Sequence, residues 1–156
     1  MTTTNDPEAR LKELGLTLPS LPKPGGTYVP FKRDGNIAYL SGQGPADQDG
    51  RYPAGKVGAD VDLETANAHA QTTGLGLLAA AKLAAGSLEK VEILKVFGMV
   101  NAVPDFAHHP KVINGCSDLF VAVLGERGRH ARSAIGMGSL PNGMTVEIEC
   151  IIKIHD

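Results

Sequence analysis

The sequence predicts an α+β fold, a mixed β-sheet with two helices packed on one face. Three observations point there. β-forming segments on either side of Asp34-Gly35-Asn36 read as a hairpin. Two long segments of helical character, 63–85 and 109–124, are separated by an apolar strand-like run. The C-terminal segment alternates. Val146, Ile148, Cys150, Ile152 and Ile154 share one face, and Thr145, Glu147, Glu149 and Lys153 share the other, with Ile151 among them.

Taken in order, Asp6 is placed to cap a short helix with Pro7 at its first position. Ala9, Leu11 and Leu14 form a weak apolar stripe, and Gly15 is a stop. Residues 16–26, LTLPSLPKPGG, hold three prolines and two glycines and therefore form neither helix nor central strand. We expect an extended arm there, so residues 1–26 form an N-terminal helix and arm, and residues 27–156 the domain proper. Strands are expected over Thr27–Lys32 and Ile37–Ser41, followed by a loop over 42–60 with a turn at Asp49-Gly50. Asp62 caps a helix over Leu63–Ala85 that Gly86 ends. Its alanines permit close approach to a sheet, while Gly74 and Gly76 weaken it locally. A strand follows over Val91–Val100, and Pro104-Asp105 breaks the chain. In the second helix, His109–Leu124, the residues Ile113, Cys116, Phe120 and Val123 face the core. Asn114, Ser117, Asp118 and Val121 make a separate, mostly polar stripe. Strands over Ala131–Met137 and Thr145–Ile154 close the order, joined through Leu140-Pro141-Asn142-Gly143.

Composition narrows the function classes. A chain of 156 residues with 42% hydrophobic content suits one packed domain. Fifteen basic against 17 acidic residues give a net charge of −2, which offers no bulk attraction to nucleic acid or anionic lipid. Aromatics at 4%, with no Trp, leave little for base stacking. Two cysteines make no disulfide scaffold, and the five histidines show no zinc-binding spacing, so no metal is expected. Gly136 and Gly138 lack the strand-to-helix context of a phosphate loop. The N-terminus has no secretory core and no apolar run reaches membrane-spanning length, so a cytoplasmic, reducing location is expected.

Four features could carry chemistry. Arg132, inside GRHARSAIG at a strand start, could present its planar fork to a carboxylate. A solvated or ion-paired arginine is the plainer alternative. Glu147, on the non-core face of the last strand, could orient or activate water, or pair with a basic residue across the sheet. In Ser41-Gly42-Gln43-Gly44-Pro45, Gly42 lets backbone approach a ligand that Ser41 or Gln43 could hydrogen-bond; otherwise it is a strand-ending turn. Tyr28 could supply a phenol edge or be a half-buried strand residue. Cys116 and Cys150 both fall at core spacing. The half-polar sheet face suits an oligomer interface with a pocket at its rim.

Together these pieces resemble the Rid/YjgF family of reactive-intermediate deaminases. The matching segments are Tyr28-Val29-Pro30, Gly35 through Pro45, the Lys95–Val100 strand, Asp105-Phe106, Asn114, Ala131-Arg132-Ser133, Leu140-Pro141 and Val146-Glu147-Ile148-Glu149. The arm and the HARSAIG segment look like the longer branch that carries an endoribonuclease L-PSP label. The resemblance implies a chorismate-mutase-like fold and a homotrimer with pockets between subunits. It also implies hydrolysis of enamine and imine intermediates of amino acids to 2-keto acids and ammonia, with no cofactor. Arg132 matches the arginine that grips the substrate carboxylate, and Glu147 the water-associated glutamate. Tyr28, Ser41 and Asn114 match the family's pocket tyrosine, serine and asparagine, with a one-residue insertion between Asn114 and Arg132, and Gly42 joins them as a substrate-binding candidate on its own chemistry. The family often has a cysteine two residues after the arginine, where this chain has Ala134. Two other readings stand beside the deaminase. One is a non-catalytic binder of small carboxylates. The other is a ribonuclease resting on Arg127, Arg129, His130 and Arg132, which the charge and the scarcity of aromatics disfavour.

Overall fold

The computed structural model describes residues 6–156. The first helix, α1 (Pro7–Glu13), starts where the Asp6 carboxylate accepts the Glu8 N–H at 2.9 Å, and its Leu11 is buried. The arm that follows has no regular structure and lays Leu16, Leu18 and Leu21 against the core.

Strands β1 (Phe31–Asp34) and β2 (Ile37–Gln43) form the expected hairpin, with Asp34 opposite Ile37, so Gly35-Asn36 is the whole loop. Only Gly35, at the first loop position, has a positive φ (61°), as a type II′ turn requires. The first strand is shorter than expected, because the ladder starts at Phe31 and not at Thr27. Pro30 has no N–H to donate, so its carbonyl makes a single contact, accepting the Ser41 N–H at 2.9 Å. Tyr28 therefore lies outside the sheet.

Helix α2 (Leu63–Ala85) is capped by Asp62, which accepts the Thr65 N–H at 2.8 Å, and ends at Gly86 with φ 82°. Strand β3 (Val91–Asn101) leads into helix α3 (His109–Leu124), and β4 (Ala131–Met137) and β5 (Val146–Ile154) complete the sheet in the order β1-β2-β5-β3-β4. The β3–β4 pair is parallel and the others antiparallel. Helices α2 and α3 lie side by side on one face over a fully buried layer that includes Leu77, Leu78, Ile113, Phe120, Ile148 and Ile152. Thr145 does not share the Glu147 face. It precedes β5, is fully buried, and has its Oγ1 2.9 Å from His69 Nδ1 on α2, so the alternation begins at Val146. No helix among the described residues is long and apolar enough to cross a membrane.

Two glycines set how closely the helices pack. A Cβ on Gly115 would stand 2.0 Å from the Asn67 carbonyl oxygen, and one on Gly74 3.1 Å from Cys116 Sγ. Gly74, which looks like a local weakness of α2, is thus where α3 presses in. The uncovered sheet face exposes Tyr39 (52%) and Ile135 (41%) beside half-buried Phe97 and Ile151, with Lys95 and Glu149 between them. Alanine outranks glycine in a helix by roughly 1 kcal/mol. The Gly115→Ala change should nevertheless destabilise the protein, by about 1–3 kcal/mol, because the clash is with backbone. Urea unfolding of wild type and variant measures it.

Candidate functional site

The residues singled out in the sequence fall into two groups. The first lines a cavity of about 850 Å³ at the end of β2, on the uncovered face of the sheet. Tyr28, Ser41, Gly42 and Glu147 all border it. Glu147 projects from β5, and Gly42 is what lets it sit there: a Cβ on Gly42 would meet the Glu147 carboxyl carbon and Oε1 at 3.2 Å. Burial pushes the Glu147 carboxyl above the usual carboxylate range, and the neighbouring Glu149 charge adds to this. The Ser41 hydroxyl donates to the Val29 carbonyl at 2.6 Å, which ties the end of the arm to β2 and leaves its oxygen free to accept. The Tyr28 hydroxyl accepts the Gly25 N–H at 3.2 Å, and the ring is 54% exposed.

Pro30, Gln43, Pro141 and Glu149 from the matching segments also border the cavity, whereas two of its walls have no motif behind them. Leu21 through Gly25 of the arm form one side, and Tyr52 and Met144 another. Gly44 faces both of the latter, and a Cβ there would stand 2.5 Å from Met144 Sδ and 2.9 Å from the Tyr52 ring. The only sequence signal for this packing is the glycine of the Ser41–Pro45 segment.

The second group surrounds Arg132. This residue pairs with Val96 on β3, which pairs with Cys150 on β5, so the pleat turns Arg132 to the helix-covered face. Its Nη1 donates to Asn114 Oδ1 at 2.8 Å and to Ser117 Oγ at 3.1 Å, both on α3. The side chain is half-buried, and no carboxylate among the described residues forms an ion pair with it. Its Nε and Nη2 hydrogens make no hydrogen bond to a described residue. Neither the solvated nor the ion-paired arginine describes it: a cation is held by two neutral oxygens with three N–H groups left over. Ser117, one turn after Asn114 on the polar stripe, joins the group unforeseen. Its Oγ also lies 2.9 Å from His130 Nε2.

A single chain does not unite these groups. Glu147 faces the uncovered side, Arg132 the helix side, and β3 runs between their strands. The basic cluster around Arg132 is also dispersed. Arg127 donates to the Glu89 carbonyl at 2.6 Å, and Arg129 pairs with Glu126 at 3.1 Å. Cys116 and Cys150 are buried, and burial raises both thiols. Ala134, where the family often has a cysteine, packs half-buried against the core. Among the described residues no three His, Cys, Asp or Glu side chains converge on a metal position.

Comparison with known proteins adds to this geometry. The family model described as "YjgF/chorismate_mutase-like, putative endoribonuclease" matches residues 8–153. A crystal structure of an Agrobacterium tumefaciens protein of unknown function is 45% identical, with a TM-score of 0.88 over 95% of this chain and 92% of that one. The Trypanosoma cruzi protein TCP17 is 34% identical over 95% of this chain and 94% of its own. RidA from the Antarctic bacterium Psychrobacter is 31% identical, with a TM-score of 0.61 over 86% of this chain and 94% of that one. A match that runs from α1 to the end of β5, on a sheet of this order with two helices on one face, makes this chain a member of the YjgF/chorismate-mutase-like Rid family.

Proposed function

We propose that the protein hydrolyses enamine and imine intermediates of amino acids to 2-keto acids and ammonia. The observation that carries this reading is Arg132, a half-buried guanidinium seated on Asn114 and Ser117 with no carboxylate of its own among the described residues. Such a group lacks an anion, and a planar carboxylate fits its remaining N–H groups. The likeness to a RidA supports the same class.

The complete site forms between two copies of the chain in a homotrimer. The uncovered sheet face, with Tyr39 and Ile135 exposed, is the surface that the copies bury against one another. At the rim of that interface the edge strand β4 carries Arg132 of one copy to the cavity of the next, where Tyr28, Ser41, Gly42 and Glu147 stand.

The chemistry needs little more than placement. The enamine takes a proton at its terminal carbon, gives one up from its nitrogen to solvent, and becomes the imine. Arg132 holds the carboxylate and fixes the adjacent imine carbon. Glu147 orients a water, accepts a proton as the oxygen bonds to that carbon, and passes a proton to the nitrogen. The carbinolamine then gives up its hydroxyl proton, the nitrogen takes a proton in turn, and the C–N bond breaks to release ammonia as the carbonyl forms. Positioning and proton transfer of this kind supply roughly 10²–10⁴-fold for the latter alone.

The Arg132→Ala variant should lose at least tenfold in kcat/KM for 2-iminobutanoate hydrolysis while keeping its unfolding transition, since a charge-assisted contact is worth about 1.5–3 kcal/mol. A coupled assay against the buffer rate checks this. Binding of 2-oxobutanoate without any acceleration would favour a passive carboxylate binder instead. Glu147 acts ionised, so catalysis should fall as pH drops through its carboxyl titration. Because burial raises that carboxyl, the fall should begin above the usual carboxylate range, and Glu147→Gln should lower the plateau and flatten the limb. Native mass spectrometry should give three times the chain mass of 16.3 kDa.

A further inference from the structure

We propose that Ser117 and His130 are positioning residues for Arg132, linked in a fixed hydrogen-bond relay that runs from the Gly128 carbonyl through the imidazole and the serine hydroxyl to the guanidinium. This rests on Arg132 being the group that grips the substrate carboxylate.

Donor and acceptor chemistry gives the relay one direction. His130 Nδ1 lies 2.6 Å from the Gly128 carbonyl oxygen, which only accepts, so the ring hydrogen sits on Nδ1. The neutral ring then leaves Nε2 as an acceptor, 2.9 Å from Ser117 Oγ. The serine hydrogen must point there, which turns the oxygen's lone pairs toward Arg132 Nη1 at 3.1 Å. Asn114 Oδ1 takes the second Nη1 hydrogen at 2.8 Å. One guanidinium nitrogen is therefore fully held, and the Nη2 and Nε hydrogens remain together on the opposite edge, an arrangement that suits bidentate capture of a carboxylate. The imidazole is itself locked by the Phe120 ring, edge-on with centroids 5.9 Å apart.

The relay also couples the two cations. Burial holds the His130 imidazole below its ordinary titration range, the Gly128 carbonyl opposes this, and repulsion from Arg132 adds to it. From helix α3 it meets the neutral Ser117 and Phe120, with Asp118 exposed elsewhere on that helix. In the preceding turn Arg129 is paired with Glu126, and Arg127 is engaged by the Glu89 carbonyl. An anion bound to Arg132 cancels that repulsion, so His130 should protonate at a higher pH in the liganded protein than in the free one.

The test combines calorimetry with 2-oxobutanoate as the probe and a ¹⁵N NMR titration of His130 in the full-length protein, its signal assigned by its loss in His130→Gln. We expect Ser117→Ala to weaken binding roughly tenfold and Ser117→Thr, which keeps the hydroxyl, to restore it. The His130 titration should move to higher pH when 2-oxobutanoate saturates the wild type. If wild type binds, Arg132→Ala does not, and yet Ser117→Ala binds as wild type with His130 unmoved, the relay is refuted while the anion grip stands. If wild type binds no keto acid at all, the grip falls and the relay with it. The NMR arm needs only wild-type binding, so it decides the matter even where Ser117→Ala fails to fold.

Discussion

The parallel pairing of β3 and β4 is the constraint on which the rest depends. Two parallel neighbours cannot be joined by a tight turn, so the chain must cross the sheet to bring the second strand in at the same end. Helix α3 is that crossing, and it lands with Asn114 and Ser117 over the first residues of β4. The register of Val96 with Arg132 then decides which face the guanidinium takes. A slip of one residue would turn Arg132 to the uncovered side and put Ser133 beneath the helix. The height of α3 above the sheet is set in turn by its contact with α2, where Gly115 brings a helix backbone onto the Asn67 carbonyl and Gly74 admits Cys116 and Leu119.

A half-buried cation is costly without partners, and the partner chosen determines its use. A carboxylate in place of Asn114 would settle Arg132 into an internal ion pair and leave it nothing to bind. Two neutral oxygens satisfy part of its hydrogen-bonding capacity and none of its charge. The same economy governs Glu147, whose partial burial against Gly42 makes its charged form less favourable than in water. A cation short of an anion and a carboxyl short of solvent thus stand on opposite faces of one sheet, and within one chain they do not meet.

The reaction proposed is already accessible to water, so a site for it does not require a strong nucleophile. The thiols fit that picture: Cys116 and Cys150 are enclosed in the core, where burial keeps them protonated, and Ala134 stands at the position where the family often carries a cysteine. The arm completes the cavity: its residues Leu21 through Gly25 form a wall, tied back where the Gly25 N–H donates to the Tyr28 hydroxyl.

Local rules were sufficient wherever the determinants lie within a few residues of each other. Both long helices start and stop where Asp62, Gly86, Pro110 and Gly125 place them, and β5 alternates from Val146 as its side chains dictate. The sequence by itself thus determined the elements, the hairpin loop at Gly35, the core stripe of α3 and the candidacy of Arg132, because caps, turn glycines and periodicity act over short range. Even there Pro30 shortened β1, since the absence of one N–H outweighs β-propensity. The tertiary structure alone decided that Gly74 is a packing site, that Ser117 and His130 converge on Arg132, and that Arg132 and Glu147 occupy opposite faces. Those outcomes depend on strand order, register and the face the helices cover, which join residues distant in the chain and leave no local mark on the sequence.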